Sequence, residues 1–211
     1  MIELFAISGT CSIAPHILLR HVGVPFELML LDRVRRENRS AEYLAINPHG
    51  KVPALRVDGQ VITENVAIQS YIADSFPDAR LAPTEPLTRA QWLSRINWFS
   101  NTVHPSFRQT RRPEIFATDA IAYPAIVQKG RADFIACLME MDSWLADHEW
   151  VVADRFTTAD AYLHVFHLWA LLSDLPIDQL ASLRRHGKAL AEMPAVRAAL
   201  ANERMVFPTI D

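Results

Sequence analysis

Ser8-Gly9-Thr10-Cys11-Ser12 is the stretch that decides how this chain begins to fold, because it separates two different hydrophobic patterns. The apolar run from Ile2 to Ile7 predicts a β-strand, and the periodicity from Ile13 to Val22 predicts a helix. Cys11 therefore falls at a helix start, where backbone N–H groups lack internal partners and carry partial positive charge. We expect the pKa of this thiol to fall below its free value of about 8.5. The same corner would also hold a thiolate that arrives on a ligand.

The remainder of the first part of the chain alternates short strands with helices up to about Phe76. The pattern predicts strands at 26–31, 52–57 and 60–62, and helices near 40–46 and from 64 onward. Asp58-Gly59 joins the last two strands and is a hairpin signal. This order of elements predicts a small α/β domain with a mixed sheet, which we assign to residues 1–78.

A proline-rich connection separates this part from one that reads as helical throughout. Pro77, Pro83 and Pro86 stop helices and favour extended chain, so we assign residues 79–87 to a linker and 88–211 to an all-helical domain. In the helical part, Thr157-Thr158-Ala159-Asp160 is a capping-box pattern. The residues that follow it are apolar nearly all round, which predicts a helix at the centre of a bundle.

Composition excludes several classes of protein. Half of the 211 residues are hydrophobic and the net charge is −3, so a sizeable core is expected and nucleic acid is not an expected partner. Two cysteines, Cys11 and Cys137, give neither a disulfide framework nor a CxxC pair, and we expect Cys137 to be an inert packed residue. No signal peptide or membrane span is evident, so a cytoplasmic protein is expected. His164 and His167 are three residues apart, but no further ligands complete a metal site.

Three motifs in fixed order resemble those of the cytosolic glutathione transferases. The cysteine corner is followed by INPHGKVPAL at 46–55 and ITENVAI at 62–68, and then by the linker and the capped helical part. The resemblance extends over essentially the whole chain, and CSIAPH at 11–16 is most like the bacterial beta class. It implies a thioredoxin-like α/β N-terminal domain, an all-α C-terminal domain, a homodimer, and glutathione as co-substrate without a metal.

The resemblance also implies which residues bind glutathione. Pro53 would be a cis-proline that turns the backbone of Val52 toward the tripeptide, and Glu64 would face its ammonium group. Arg35 or Arg36 would meet the glycyl carboxylate, with Lys51 as the competing candidate. The residues assigned to glutathione are Thr10, Arg35, Lys51, Val52, Pro53, Glu64, Asn65 and Asn97.

A polar stripe in the helical part supplies a clue of its own. Asn97, Asn101, His104 and Arg108 fall on one face of a regular helix, which we interpret as a wall of the cleft between the domains. Pro105 is expected to disturb the helix near the carbonyl of Asn101. The resemblance places His104 near the thiol, so Cys11, Ser12 and His104 are the candidate catalytic residues. Phe107, Arg108 and Trp169 are the candidates for contacting the electrophile.

Three functions remain open on these grounds. The first is conjugation of the glutathione thiolate to a small hydrophobic electrophile, with Ser12 or Cys11 stabilising the sulfur. The second is reduction of disulfides or peroxides through a mixed disulfide between Cys11 and glutathione. The third is a non-catalytic protein that binds apolar ligands.

Overall fold

The structure is a computed structural model and describes residues 1–173, 175 and 177–205. The predicted helical domain extends to residue 211, so its positions 174, 176 and 206–211 lie outside the described residues. The strands are β1 (Ile2–Ala6), β2 (Glu27–Leu30), β3 (Ala54–Val57) and β4 (Gln60–Thr63). The helices are α1 (Ile13–Val22), α2 (Ala41–Ile46), α3 (Asn65–Ser75), α4 (Pro86–Trp98), α5 (His104–Arg111), α6 (Tyr123–Trp144), α7 (Thr158–Leu172), α8 (Ala181–Glu192) and α9 (Pro194–Asn202).

The four strands form one mixed sheet in the order β2-β1-β3-β4. β1 runs parallel to β2 and antiparallel to β3, and β3 pairs with β4 through the predicted hairpin. Asp58 and Gly59 both have positive φ angles, 48° and 84°, as a tight two-residue hairpin turn requires. The expectation of a thioredoxin-like mixed sheet followed by a helical part is confirmed.

Helix α1 joins the two parts of the chain. α1 contacts α3 on the N-terminal side, and it also contacts α7 and α9 from the helical part. Leu4, Ile17, Leu18 and Leu55 are fully buried in the resulting core. Because α1 begins immediately after the cysteine corner, this packing fixes the corner between the sheet and the helical part.

α4 does not continue into α5 as a regular α-helix. The residues Phe99–Val103 form a π-helical segment, and it ends at His104, directly before Pro105. Pro105 has no N–H to donate to the carbonyl of Asn101, so the regular hydrogen-bond pattern is lost there, as expected. A π segment also changes the rotation per residue, which moves Asn97 off the face that carries His104.

α7 is the central helix of the helical part and is buried along almost its whole length. Its N-terminus has the predicted capping box, in which Asp160 accepts a hydrogen bond from Thr157 N at 2.7 Å. His164 and His167 are packed as expected, but their ring nitrogens have no hydrogen-bond partner among the described atoms. Burial accordingly lowers the pKa of His167 to about 4, so both rings are neutral at pH 7.

Gly187 in α8 allows that helix to lie directly against the His167 ring. A Cβ atom at position 187 would overlap the ring, which is buried and has no room to shift. We expect Gly187→Ala to lower the free energy of unfolding by about 1–3 kcal/mol, although alanine normally favours a helix by about 0.5–1 kcal/mol. Urea denaturation measures the change. The same substitution in a His167→Ala background should cost nothing, and a stabilised single variant would contradict the overlap.

The described part of the chain shows neither a cluster of metal ligands nor a helix that could span a membrane. In those residues no group of three or more histidine, cysteine, aspartate or glutamate side chains is arranged to hold a metal ion. None of the described helices combines the length and apolarity that a bilayer span requires.

Candidate active site

A cavity of about 190 Å³ lies between the N-terminal part of the chain and the helical run formed by the π segment and α5, with Cys11 on its wall. It is bounded by the β1–α1 corner, the segment before β3, the start of α3, the π segment, α5 and α7. The lining residues are Cys11, Asn47, His49, Lys51, Val52, Pro53, Glu64, Asn65, Ser100, Asn101, His104, Pro105, Arg108 and Tyr162. Segments far apart in sequence therefore meet at the predicted thiol.

The Cys11 thiol is buried on the cavity wall. Its Sγ donates to the carbonyl of Val52 at 3.7 Å, and only 6% of the residue is exposed. Burial raises the pKa of the thiol to about 11, although the positive charge of Arg108 and a hydrogen bond from Asn65 act in the opposite direction. The expectation of a lowered pKa is therefore wrong for the unliganded protein, because loss of hydration outweighs the helix start.

Ser12 and Thr10 do not face the cavity. Ser12 is fully buried, and its hydroxyl lies 2.7 Å from the hydroxyl of Thr10 and 3.2 Å from the carbonyl of Ile7. Thr10 also donates to the Ile7 carbonyl at 2.8 Å. Both hydroxyl groups close the turn between β1 and α1, so Ser12 is not the donor to a ligand sulfur that the sequence predicted. Neither side chain lines the cavity.

The segment before β3 presents its backbone to the cavity. The Val52–Pro53 peptide bond is cis, as the resemblance implied. Tyr43 and Asn47 hold this segment in place, because both donate to the Lys51 carbonyl, at 2.6 and 2.8 Å. Val52 is consequently fixed with its main chain beside Cys11, where an extended peptide could pair with it.

Glu64 and Asn65 begin α3 at the opposite wall. Glu64 is exposed, has a φ of 70°, and forms no ion pair with any described residue. Asn65 is buried and donates to the Cys11 carbonyl at 2.9 Å, while it accepts from Gln69. The amide of Asn65 therefore positions the Cys11 backbone, and the helix N-terminus with Glu64 forms a dipolar end that suits an amino-acid headgroup.

Besides Thr10, two residues predicted to bind glutathione lie outside the cavity. Arg35 is on an exposed turn and pairs with Asp32 at 3.6 Å. Asn97 is exposed and donates back to the Leu93 carbonyl at 2.8 Å, because the π segment rotates it away from the polar stripe. Of the competing basic candidates, Lys51 lines the cavity and Arg35 does not.

His104 and Arg108 form a pair on the wall contributed by α5. A guanidinium nitrogen of Arg108 lies 3.3 Å from His104 Nε2. Burial, followed by the positive charges of Arg108 and Lys51, lowers the pKa of His104 to about 3. His104 is therefore neutral at pH 7 and accepts a hydrogen bond from Arg108 through Nε2.

Phe107 and Trp169 stand behind this pair instead of lining the cavity. Their rings are stacked with centroids 4.3 Å apart, and the Trp169 ring meets the His104 ring edge-on at 5.1 Å. Trp169 Nε1 also donates to the Gly9 carbonyl at 3.0 Å. Phe107 and Trp169, which were predicted to contact the electrophile, therefore pack behind His104, and Trp169 also holds the loop that carries Cys11.

The loop that carries Cys11 is also held by Glu203, in the turn after α9. The Glu203 carboxylate accepts from His16 Nδ1 at 2.9 Å and from Gly9 N at 3.3 Å, and its carbonyl accepts from Ser8 Oγ at 2.8 Å. Glu203 and His16 are both fully buried at their side chains. No local pattern could predict this contact, because 187 residues separate the two partners.

Tyr162 is the main cavity residue that sequence reasoning missed. Its hydroxyl is buried, has no hydrogen-bond partner among the described atoms, and lies on the cavity wall. Burial raises the pKa of this phenol well above its usual value, so it remains a neutral donor. Its sequence context, an apolar run after a helix cap, is typical of core. Asn47 and His49 also line the cavity and were not assigned to the site, although they belong to the quoted motif at 46–55.

A second and larger cleft, of about 530 Å³, lies between α4 and the end of α6. It is lined by Arg95, whose guanidinium sits 3.5 Å above the Trp144 ring, but it contains no cysteine and no residue of the sheet or of α1 to α3. The smaller cavity brings together the Cys11 thiol, the main chain of Val52, and the charged side chains of Glu64 and Arg108, which form no ion pair with any described residue. It is therefore the candidate active site.

Comparison with known proteins agrees with this geometry. The family described as glutathione S-transferase, N-terminal domain, matches residues 2–74. Glutathione S-transferase GstA of Escherichia coli O157:H7 is 35% identical over 204 residues, which cover 95% of this chain and 98% of that protein. Two solved structures are also similar in fold. A sphingomonad glutathione S-transferase complexed with glutathione has 34% identity and a TM-score of 0.86, covering 97% of this chain and 100% of that one.

The second similar structure is that of the bacterial beta class glutathione S-transferase of Sphingomonas chungbukensis. It has 33% identity and a TM-score of 0.86, and the match covers 97% of this chain and 100% of that one. Identity above 30% over nearly the full length of both proteins goes together with the cysteine corner, the Val52–Pro53 segment and the capped central helix described above. The chain therefore belongs to the cytosolic glutathione S-transferase superfamily, as a beta-like glutathione transferase enzyme.

Proposed function

We propose that this enzyme joins the sulfur of glutathione to a small hydrophobic electrophile in the cavity beside Cys11. The observation that carries the proposal is the position of the Cys11 thiol, which is buried on the cavity wall and donates to the Val52 carbonyl. Its pKa is about 11, so only about one thiol in ten thousand is ionised at pH 7. A thiol in that state is a poor nucleophile but a hydrogen-bond donor, and a thiolate on bound glutathione is an acceptor. The presence of a donor at this position favours conjugation.

The cavity offers complementary groups for the ends of the tripeptide. Glu64 suits the ammonium group, and the N-terminus of α3 suits the neighbouring carboxylate. The main chain of Val52 suits the cysteinyl residue, as an added strand does. Lys51, in place of Arg35, suits the glycyl carboxylate because it lies on the cavity wall. This arrangement would bring the glutathione sulfur to Cys11.

Positioning would then supply most of the rate. At pH 7.4 a thiol of pKa 8.5 is about 7% ionised, and lowering the pKa by two units raises this to about 90%, a gain of little more than tenfold. A lower pKa also makes the sulfur less nucleophilic. Holding thiolate and electrophile in contact is worth up to about 7–11 kcal/mol. His104, neutral at pH 7, would contribute as a hydrogen-bonding group and not as a cation.

Reduction of disulfides or peroxides through Cys11 receives less support. That reaction requires the Cys11 thiolate to attack, and burial opposes its formation. The non-catalytic alternative is set aside, because the nearly full-length relatives are transferases. We further propose that the enzyme works in detoxification as a cytoplasmic homodimer, as the resemblance implies. Sedimentation equilibrium would test the assembly, and a single-chain mass would contradict it.

Two variants of Cys11 test the proposal. Cys11→Ser keeps a donor at the site and should retain conjugation of 1-chloro-2,4-dinitrobenzene within about threefold. Cys11→Ala removes the donor and should lower kcat/KM about tenfold, since a hydrogen bond to a charged group is worth about 1.5–3 kcal/mol and a thiol is a weak donor. If Cys11→Ala retained full conjugation but no longer reduced hydroxyethyl disulfide, Cys11 would act only in redox chemistry.

Mass spectrometry of the wild-type enzyme treated with oxidised glutathione provides the second readout. No adduct on Cys11 is expected at pH 7. Rapid and complete formation of the mixed disulfide, together with disulfide reduction but no conjugation by the wild-type enzyme, would overturn the proposal in favour of the reductase. Absence of turnover with every electrophile and peroxide tested would overturn both.

A further inference from the structure

Arg108 carries a positive charge that the charged ends of glutathione, placed as proposed above, would leave unmatched. No carboxylate among the described residues forms an ion pair with Arg108, although its charge acts on both Cys11 and His104. In the bound tripeptide, the ammonium group faces Glu64 and the two carboxylates face the start of α3 and Lys51. All charged groups of the tripeptide except the sulfur then have a partner of opposite charge. Arg108, on the wall contributed by α5, is not among those partners.

The guanidinium is held in one orientation by His104. Nε2 of His104, 3.3 Å away, accepts one N–H of Arg108, which leaves the other guanidinium donors available. His104 can accept only while it is neutral, and burial keeps it neutral. The rings of Phe107 and Trp169 in turn support His104 from behind. The result is an oriented fork, half-buried beside the position of the reacting sulfur.

A guanidinium fork in a partly desolvated cavity pairs best with a planar, bidentate anion. We infer that Arg108 selects electrophiles that carry a carboxylate on an otherwise apolar body. This inference rests on the proposed conjugation and names the class of its second substrate. The neutral histidine and the aromatic rings behind it supply the apolar surroundings in which such a pair is strong.

Two matched chloroarenes separate this role from a general effect on the sulfur. In both 4-chloro-3,5-dinitrobenzoate and its carboxamide, the thiolate forms a C–S bond at the carbon that bears chlorine. The electron pair enters the ring, the C–Cl bond then breaks, and chloride leaves, while the thiol proton has already passed to solvent. The two substrates have the same size and leaving group, but the group opposite the chlorine is an anion in one and neutral in the other. Rates are expressed as kcat/KM relative to the uncatalysed reaction with glutathione, which removes the difference in intrinsic reactivity.

The wild-type enzyme is expected to favour the benzoate over the amide by about tenfold or more, and Arg108→Gln should abolish that preference. Arg108→Lys, which keeps the charge but not the fork, should restore part of it. Arg111→Gln is the matched control, because Arg111 lies on the same helix but is exposed and does not line the cavity. It should leave both rates unchanged.

A second measurement needs no variant. Raising the salt concentration should reduce the benzoate preference of the wild-type enzyme, since ions compete with a partly exposed pair. Equal rates for the benzoate and the amide in the wild type, or an equal loss for both in Arg108→Gln, would overturn the inference while conjugation itself stands. Failure of the wild type to turn over either compound or 1-chloro-2,4-dinitrobenzene would instead remove the proposed function and this inference with it.

Discussion

Replacing Asp160 by alanine is expected to lower the free energy of unfolding by about 3–5 kcal/mol, a large part of the stability of a typical domain. The carboxylate is fully buried and accepts four hydrogen bonds. The donors are Val151 N at 2.9 Å, Thr157 N at 2.7 Å, Thr157 Oγ1 at 2.9 Å and His186 Nε2 at 2.9 Å. Alanine would leave these buried donors without partners and would remove the cap of the central helix.

Urea denaturation followed by tryptophan fluorescence measures the change, and two controls locate its cause. Asp160→Asn keeps the shape and one acceptor oxygen, so we expect an intermediate loss. Asp133→Ala removes an exposed carboxylate that pairs with Lys129 within α6, and it should cost less than about 1 kcal/mol. If the alanine variant at 160 stayed within 1 kcal/mol of the wild type, Asp160 would not be the fixed point that the geometry indicates.

The second large effect is expected at Glu64. Glu64→Gln keeps the size and the backbone of this residue but removes the charge that would face the ammonium group of glutathione. A charge-assisted hydrogen bond is worth about 1.5–3 kcal/mol, so KM for glutathione should rise about 10- to 100-fold with little change in kcat at saturation. Because Glu64 forms no ion pair with the described residues, the fold should not depend on it.

Steady-state kinetics with glutathione as the varied substrate, together with calorimetric titration, test this expectation. Glu149→Gln is the matched control, since Glu149 is an exposed glutamate far from the cavity. It should leave KM unchanged. A rise of less than threefold for Glu64→Gln would mean that the ammonium group is held elsewhere, and the orientation proposed for the tripeptide would have to be reversed.

The sequence predicted what depends on local pattern. The strands, the Asp58-Gly59 hairpin, the cap at Thr157 and the helical second part follow from hydrophobic periodicity and turn chemistry, and the structure contains all of them. The cavity residues from Lys51 to Pro53 and at Glu64 were identified because their motifs resemble those of the glutathione transferases. Their roles toward glutathione are still proposals.

The errors arose where tertiary structure overrides a local rule. The periodicity of a regular α-helix placed Asn97 on the same face as His104. The π segment between them changes the rotation per residue, so the two side chains do not share a face. The helix-start rule lowered the expected pKa of Cys11, but burial raises it, and burial cannot be deduced from one loop. Ser12 turned inward to satisfy the backbone of Ile7. Tyr162 enters the site only because α7 passes beneath it, which no spacing of residues reveals.

Glu203 has a consequence for how activity arises during synthesis. The turn after α9 is translated 187 to 195 residues after the loop that it holds through Ser8, Gly9 and His16. A ribosome-bound nascent chain that has completed only its sheet would therefore lack two of the anchors of its reactive corner, since Trp169 is also supplied from downstream. Chains that terminate before Glu203 should therefore lack transferase activity. Activity should appear only once the turn that carries Glu203 has packed against the loop that carries Cys11.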